Sequence, residues 1–310
     1  MTTPMDPAIA ALAATAAAAA APPLHTISPA EARARVVAGH GACSGGPALH
    51  SVTDIRVPVA DAEIGARVYS PAAGPTRATL VYLHGGGWVT GDLDYCDELC
   101  RFVADRLDWT VVSVDYRLAP EHPFPTPLDD AYAVLGHVAD TIAGDGPLGV
   151  GGDSAGGNLA AACALRARDE HGPALDFQVL VYPVTDHDLT RDSYRTHADA
   201  FPIGAESMRW FWDHYLPDAA RRDLPAASPL RAVDVGGLPP AHVVVAGHDP
   251  LHDEGVAYAE RLREAGVRVS LAEYPSLTHG FFRLTGAVPA ARAAVDDLVA
   301  ALRDLLARSS

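Results

Sequence analysis

Residues 149–168 read GVGGDSAGGNLAAACALRAR, and the fold turns on what Ser154 is doing there. Upstream, PLGVGG is a short apolar run of the kind that forms a buried strand. Downstream, NLAAACALRAR has the alanine and leucine content of a helix. Gly152 and Gly156 flank the serine, so the chain can turn sharply from strand to helix and leave the hydroxyl exposed at the bend. In a chain with 27 glycines such a pattern also arises by chance. The decision therefore rests on what surrounds it.

Working outward, ATLVYLH, WTVVSVDY, LGVGG, FQVLVYP, AHVVVAG and VRVSLAEYP are short, β-branched, nearly continuous apolar runs that alternate with helix-like stretches. Continuous apolar character fits parallel strands covered on both faces. Before them, VTDIRVPVA and AEIGARVYS alternate apolar with polar residues, as a half-buried antiparallel pair does. The expectation is one α/β domain with a sheet of about eight strands, mostly parallel and flanked by helices. No internal repeat is present.

From about Asp186 to Pro229 no strand is expected, but Phe201, Trp210, Phe211, Trp212 and Tyr215 cluster there. AESMRWFWDHYL reads as a helix with more aromatic surface than a lone amphipathic helix carries, so this insertion can form a lid over the sheet's carboxyl end. The other reading is that the aromatics fill a core between helices. At the N-terminus, AIAALAATAAAAAAPP lacks a preceding Lys or Arg and is a poor membrane span, so an amphipathic helix ended by Pro22-Pro23 and a cytoplasmic protein are expected. SPAEARARVVAGH reads as a second helix with Ser28 as N-cap, Pro29 at the first position and Glu31 at the third. Residues 41–50 are glycine-rich and expected to be mobile.

The formal net charge is −16, from 39 acidic and 23 basic side chains, which repels nucleic acid and anionic membrane surfaces. Cys43, Cys96, Cys100 and Cys163 show no metal-ligand framework, and the expectation is reduced, mostly buried thiols. His248, Asp249, His252 and Asp253 lie close together, but their spacing matches no ligand set and no metal is expected.

Acyl transfer needs a nucleophile, a base, a group orienting the base and donors for the oxyanion. LVYLHGGGWVTGD places three glycines, 85–87, directly after a strand, where their N–H groups can be aimed at one point. Asp249 falls just past one strand and His279 just past another, so the order along the chain is Ser154, Asp249, His279. Asp253, one turn into the next helix, is expected to point away. Asp153 is expected to stabilise its own turn by hydrogen bonding.

HGGGW, YRLAPEHPFP, GDSAGGNLA, DPLHDEG and EYPSLTHGF, in that order between Ala78 and Phe282, resemble the hormone-sensitive-lipase-like branch of the α/β-hydrolases, bacterial carboxylesterases of the G-D-S-A-G type. The resemblance implies that Ser154 is nucleophile, Asp249 acid and His279 base. It implies oxyanion donors at the N–H groups of Gly86, Gly87 and Ala155, with Gly85 the poorer candidate. It further implies a helical cap built from residues 1–48 and 185–225 on a core of residues 49–184 and 226–310. Trp88, Phe201, Trp210 and Phe211 are candidate pocket-lining residues, with plain packing as the other reading, and Glu121 and Asp129 are expected to anchor loops near the site. The implied activity is cofactor-free hydrolysis of short- to medium-chain acyl esters. An amidase would use the same triad, and a non-catalytic receptor on this fold would be expected to lose one of its members. The protein is expected to act as monomer or homodimer, and VRVSLAEYP reads either as an open sheet edge or as a strand covered by the final helix.

Overall fold

The computed structural model describes residues 3–40 and 45–307. Eight strands form one sheet: β1 (Ser51–Pro58), β2 (Glu63–Ser70), β3 (Thr79–Leu83), β4 (Thr110–Asp115), β5 (Leu148–Asp153), β6 (Phe177–Val181), β7 (Ala241–His248) and β8 (Val269–Thr278). Their order across the sheet is β1-β2-β4-β3-β5-β6-β7-β8. β1/β2 and β2/β4 run antiparallel and every later pair is parallel. The eight runs of the sequence therefore become the eight strands. β8 pairs only with β7 and is an edge, with α9 (Pro289–Ala307) packed against both.

The continuous apolar runs have a simple cause. Val81, Leu83, Val112 and Val114 face one side of the sheet, in a core shared with helices α4 (Thr126–Thr141), α5 (Ala155–Asp169) and α8 (His252–Glu264). Leu80, Tyr82 and Val111 face the other, in a core shared with α3 (Asp97–Leu107) and α9. Alternate side chains enter opposite cores, so neither strand face can be polar.

The remaining helices are α1 (Pro7–Ala18), α2 (Pro29–Ala38), α6 (Asp192–Thr196) and α7 (Ala205–Tyr215). α2 starts as its sequence requires: Ser28 Oγ accepts from the Glu31 N–H while the Glu31 carboxylate accepts from the Ser28 N–H. α1 departs from expectation. It ends at Ala18, short of Pro22-Pro23, and buries only Ile9. A narrow stripe of Met5, Ala8, Ile9 and Leu12 packs on the α3/α9 core, while the outer surface is alanine rather than polar. Alanine propensity forms this helix, and the stripe docks it.

Cys96, Cys100 and Cys163 are buried free thiols; Cys43 lies outside the described residues, as do the first four residues of the glycine-rich stretch 41–50. Among the described residues no helix is long and apolar enough to cross a membrane.

Candidate active site

The parallel strands bring the sequence-predicted residues together by ending side by side. Asp153 pairs with Val181, so the next residues, Ser154 and Tyr182, leave β5 and β6 at the same level. β7 and β8 share an irregularity after Ala246, beyond which His248 pairs with Thr278. Asp249 and His279 are the residues that follow, and so emerge as neighbours at the carboxyl ends of their strands. This is where open α/β sheets place their chemistry.

Ser154 has φ of 56° and ψ of −119°, a strained conformation for a residue with a Cβ. Its N–H donates to the Val181 carbonyl at 2.9 Å, and its carbonyl accepts from the N–H groups of Asn158 at 3.0 Å and Val184 at 3.1 Å. These bonds hold the bend. Helix α5 then runs so close to β3 that a Cβ on Gly156 would lie 1.9 Å from the Leu83 carbonyl oxygen. Only glycine fits there, which explains the second glycine of G-x-S-x-G.

His279 Nε2 lies 2.9 Å from Ser154 Oγ, and its Nδ1 lies 2.7 Å from Asp249 Oδ2. Asp249 is fully buried, and its other oxygen accepts from the Leu251 N–H at 2.8 Å. An ionised carboxylate only accepts, so Nδ1 carries the imidazole proton and Nε2 presents its lone pair to the serine hydroxyl. Tyr182 packs its ring on His279 with centroids 4.7 Å apart, which fixes the imidazole plane. Tyr182 bears no motif, and only its place after β6 could have pointed to it.

The loop after β3 is ordered from beneath. His84 is fully buried, its pKa pushed down to about 4 by burial, so it is neutral and donates from Nδ1 to the Gly85 carbonyl at 2.7 Å. Its ring stacks on Tyr116, whose hydroxyl donates to the His84 carbonyl at 2.7 Å. Gly86 and Gly87 take φ values of 111° and 61°. The N–H groups of Gly86, Gly87 and Ala155 have no hydrogen-bond acceptor among the described residues, whereas the Gly85 N–H donates to Asp153 Oδ1 at 3.0 Å. Ala155 also opens α5, so its N–H carries the positive end of the helix dipole.

The candidate pocket residues separate. Trp88 is fully buried, with φ of 60°, and lies flat on Tyr215 at 4.1 Å between ring centroids, with Trp212 at 4.8 Å. Its positive φ turns the indole into the core under α7, and of the two readings of Trp88 its full burial favours packing. Phe211 is nearly buried against Gly87, while Trp210 and Phe201 keep part of their surface exposed. The Phe201 carbonyl accepts from the Thr278 hydroxyl, beside His279. Of the α7 aromatics, Trp212 and Tyr215 thus lie in the core, Phe211 lies against Gly87, and Trp210 packs on Phe211 and His214.

Asp253 accepts from the Ser193 N–H at 2.8 Å and so faces α6. His248 Nε2 lies 3.0 Å from the Thr3 carbonyl, and His252 pairs with Asp253 at 3.0 Å. Among the described residues no group of three or more His, Cys, Asp and Glu side chains is arranged to hold a metal. Glu121 binds Arg33 of α2, which anchors a loop as expected, but Asp129 pairs with Arg166 at 2.7 Å and ties α4 to α5 instead. The buried carboxylate near Asp129 is Asp130, held by Arg117 at 2.8 Å.

A strained serine at a strand end, in line with an imidazole and a buried carboxylate, is the arrangement of an α/β hydrolase. Comparison with known proteins agrees: the family model described as alpha/beta hydrolase fold matches residues 80–283. A carboxylic ester hydrolase of Mycobacterium tuberculosis, LipN, is 43% identical over 274 residues, covering 85% of this chain and 73% of the relative. The ethyl acetate hydrolase of Pseudomonas putida is 35% identical over 294 residues, 92% of each chain. Among solved structures, an ester hydrolase from the metagenome of Lake Arreo, in complex with a derivative of bipyridine phosphonate, superposes with a TM-score of 0.91 at 38% identity, covering 96% of this chain and 98% of that one. The chain belongs to the alpha/beta hydrolase family, in its hormone-sensitive-lipase-like branch.

Proposed function

We propose that the protein is a serine carboxylesterase that hydrolyses short- to medium-chain acyl esters through an acyl-enzyme. The observation that carries this is the unbroken line from Ser154 Oγ through His279 to Asp249, at 2.9 and 2.7 Å. His279 takes the Ser154 proton as the hydroxyl attacks the ester carbonyl. The N–H groups of Gly86, Gly87 and Ala155 receive the oxyanion, in a site where each donor contributes about 3 kcal/mol to the transition state. His279 then returns the proton to the departing alcohol. Water enters, His279 again acts as base, and the acid is released. No step calls for a cofactor.

Residues 1–48 and 185–225 form the cap in this reading, over a core of residues 49–184 and 226–310. Two features support it: α2 is tied to the loops after β3 and β4 through Arg33, and α7 sets Phe211 against Gly87. Phe201, Trp210 and Phe211 then border the acyl or alcohol side of the site. The substrate is a small-molecule ester, as the names of the relatives imply for those proteins. The enzyme works in the cytoplasm as monomer or homodimer, a reading supported by the lack of Lys and Arg ahead of the alanine-rich segment and by β8, which pairs along one side only.

The test is hydrolysis of p-nitrophenyl esters with two to sixteen acyl carbons, wild type beside Ser154→Ala. Activity that peaks at short chains and disappears in the variant is expected. A profile rising toward long chains would overturn the substrate class. Folded wild type inactive on every ester would turn attention to amides or to a receptor role.

A further inference from the structure

Asp153 does not stabilise its own turn. It ends β5 beside the serine and is almost fully buried, yet its Oδ1 accepts from the Gly85 N–H at 3.0 Å and the Tyr82 hydroxyl at 3.3 Å. Gly85 belongs to the glycine loop after β3, 68 residues earlier. A carboxylate serving its own bend would bond an N–H two or three residues on. This one reaches to the other half of the site.

The contact is close. Oδ2 lies 2.4 Å from where a Cβ on Gly85 would stand, with the Tyr95 hydroxyl 3.1 Å from the same point. Asp153 also borders a cavity of about 10 Å³, the space of roughly one water, whose lining includes Tyr82, Tyr95, Tyr182 and Arg283. Burying a carboxylate costs free energy, and burial pushes Asp153 up to about 6 against the pull of His279, Arg283, the Gly85 N–H and Tyr82. Uncharged packing would make a cheaper link between two loops. What the carboxylate adds is an acceptor that fixes the orientation of one peptide plane, immediately before the two glycines whose N–H groups are unpaired.

We propose that Asp153 is a positioning residue that locks the glycine loop to the serine bend and so holds the Gly86 and Gly87 N–H groups on the oxyanion, a role that rests on the serine-esterase reading. It touches no reacting atom. Its effect falls on the transition state, because an ester carbonyl in the ground state demands less of the two donors than a full oxyanion does.

Asp153→Ala, Asp153→Asn and Ser154→Ala are compared with wild type at about pH 8, reading kcat and KM on a short p-nitrophenyl ester and inhibition by a trifluoromethyl ketone. The ketone carbon bonds Ser154 Oγ, the serine proton passes to His279, and the resulting oxyanion reports on the donors. In Asp153→Ala, kcat is expected to fall about 30- to 100-fold, with KM within about threefold and ketone affinity falling in parallel with kcat. Asp153→Asn, whose amide oxygen still accepts from Gly85, recovers kcat to within about fivefold of wild type. If Asp153→Ala does not fold, Asp153→Glu replaces it: a carboxylate one methylene longer cannot sit in the same place against Gly85, so its kcat must fall while that of Asn does not. An alanine variant with kcat within about twofold of wild type, or an asparagine variant as impaired as alanine, overturns the proposal. Those results with active wild type and inactive Ser154→Ala leave the esterase reading standing. Inactive wild type removes both.

Discussion

A Cβ on Gly87 would lie 2.1 Å from Cδ1 of Phe211. The glycine loop and helix α7 are therefore in direct contact, with no side chain between an N–H assigned to the oxyanion and the insertion assigned to the cap. Behind Phe211, the stacked rings of Trp88 and Tyr215 and the adjacent Trp212 fill the space beneath the helix. Phe211 leaves no room for a side chain on Gly87.

Gly87→Ala follows from that contact. The new methyl meets an aromatic ring, and the φ of 61° adds about 1–2 kcal/mol for a residue with a Cβ. The loop must shift, and losing one oxyanion donor costs about a hundredfold or more in kcat. Phe211→Ala in the same chain removes the ring and should restore at least about tenfold of that loss. Steady-state kinetics on the two single variants and the double variant give the coupling. Strictly additive losses would show that the ring does not transmit the strain.

Asp153 also sets a pH dependence of stability. Its folded pKa, raised to about 6 by burial, exceeds the ordinary aspartate value of 3.8, so the folded state holds its proton more tightly than the unfolded chain does. The associated stability is fully present below about pH 4 and is lost as pH rises through about 6. Two pKa units correspond to about 3 kcal/mol as an upper figure. Other carboxylates titrate over the same range, and comparison with Asp153→Asn cancels them. Urea midpoints for both proteins from about pH 4 to pH 7 should show wild type losing ground steadily against the asparagine variant. A difference that stays flat with pH contradicts the assignment.

The sequence made most of this legible where chemistry follows position along a strand. Ser154, Asp249 and His279 each follow an apolar run, and parallel strands of one sheet deliver their carboxyl ends to the same side. The eight runs were visible for the same reason, since each strand is buried on both faces. Contacts between distant segments left no such trace. Trp88 follows the glycine loop and read equally as pocket wall or as packing, until its positive φ put the indole against Tyr215. Asp153 read as a local turn residue because nothing in its neighbourhood points 68 residues back to Gly85. The outer face of α1 misled through composition: a run of alanines predicts helix whether or not both faces have a partner.

Arg33 shows how the N-terminal helices bear on the site. From α2 its Nε donates to the Val89 carbonyl at 2.8 Å, and a terminal nitrogen donates to the Ala119 carbonyl at 2.9 Å. The same guanidinium forms an ion pair with Glu121, holding that carboxyl down at about 2. With Arg33 30% and Glu121 55% exposed, the ion pair is worth at most about 1 kcal/mol. The two carbonyls matter more, because they belong to the loops after β3 and β4 and are partly buried. Arg33→Met keeps the apolar stem and removes every donor, which should cost about 1–2 kcal/mol and lower Tm by several degrees. Glu121→Gln should cost less than half of that, since Arg33 still reaches both carbonyls. Thermal melts of the two variants decide it: an equal loss in both would assign the stability to the ion pair and leave the carbonyl bonds without a role in joining α2 to the loop that carries Gly86 and Gly87.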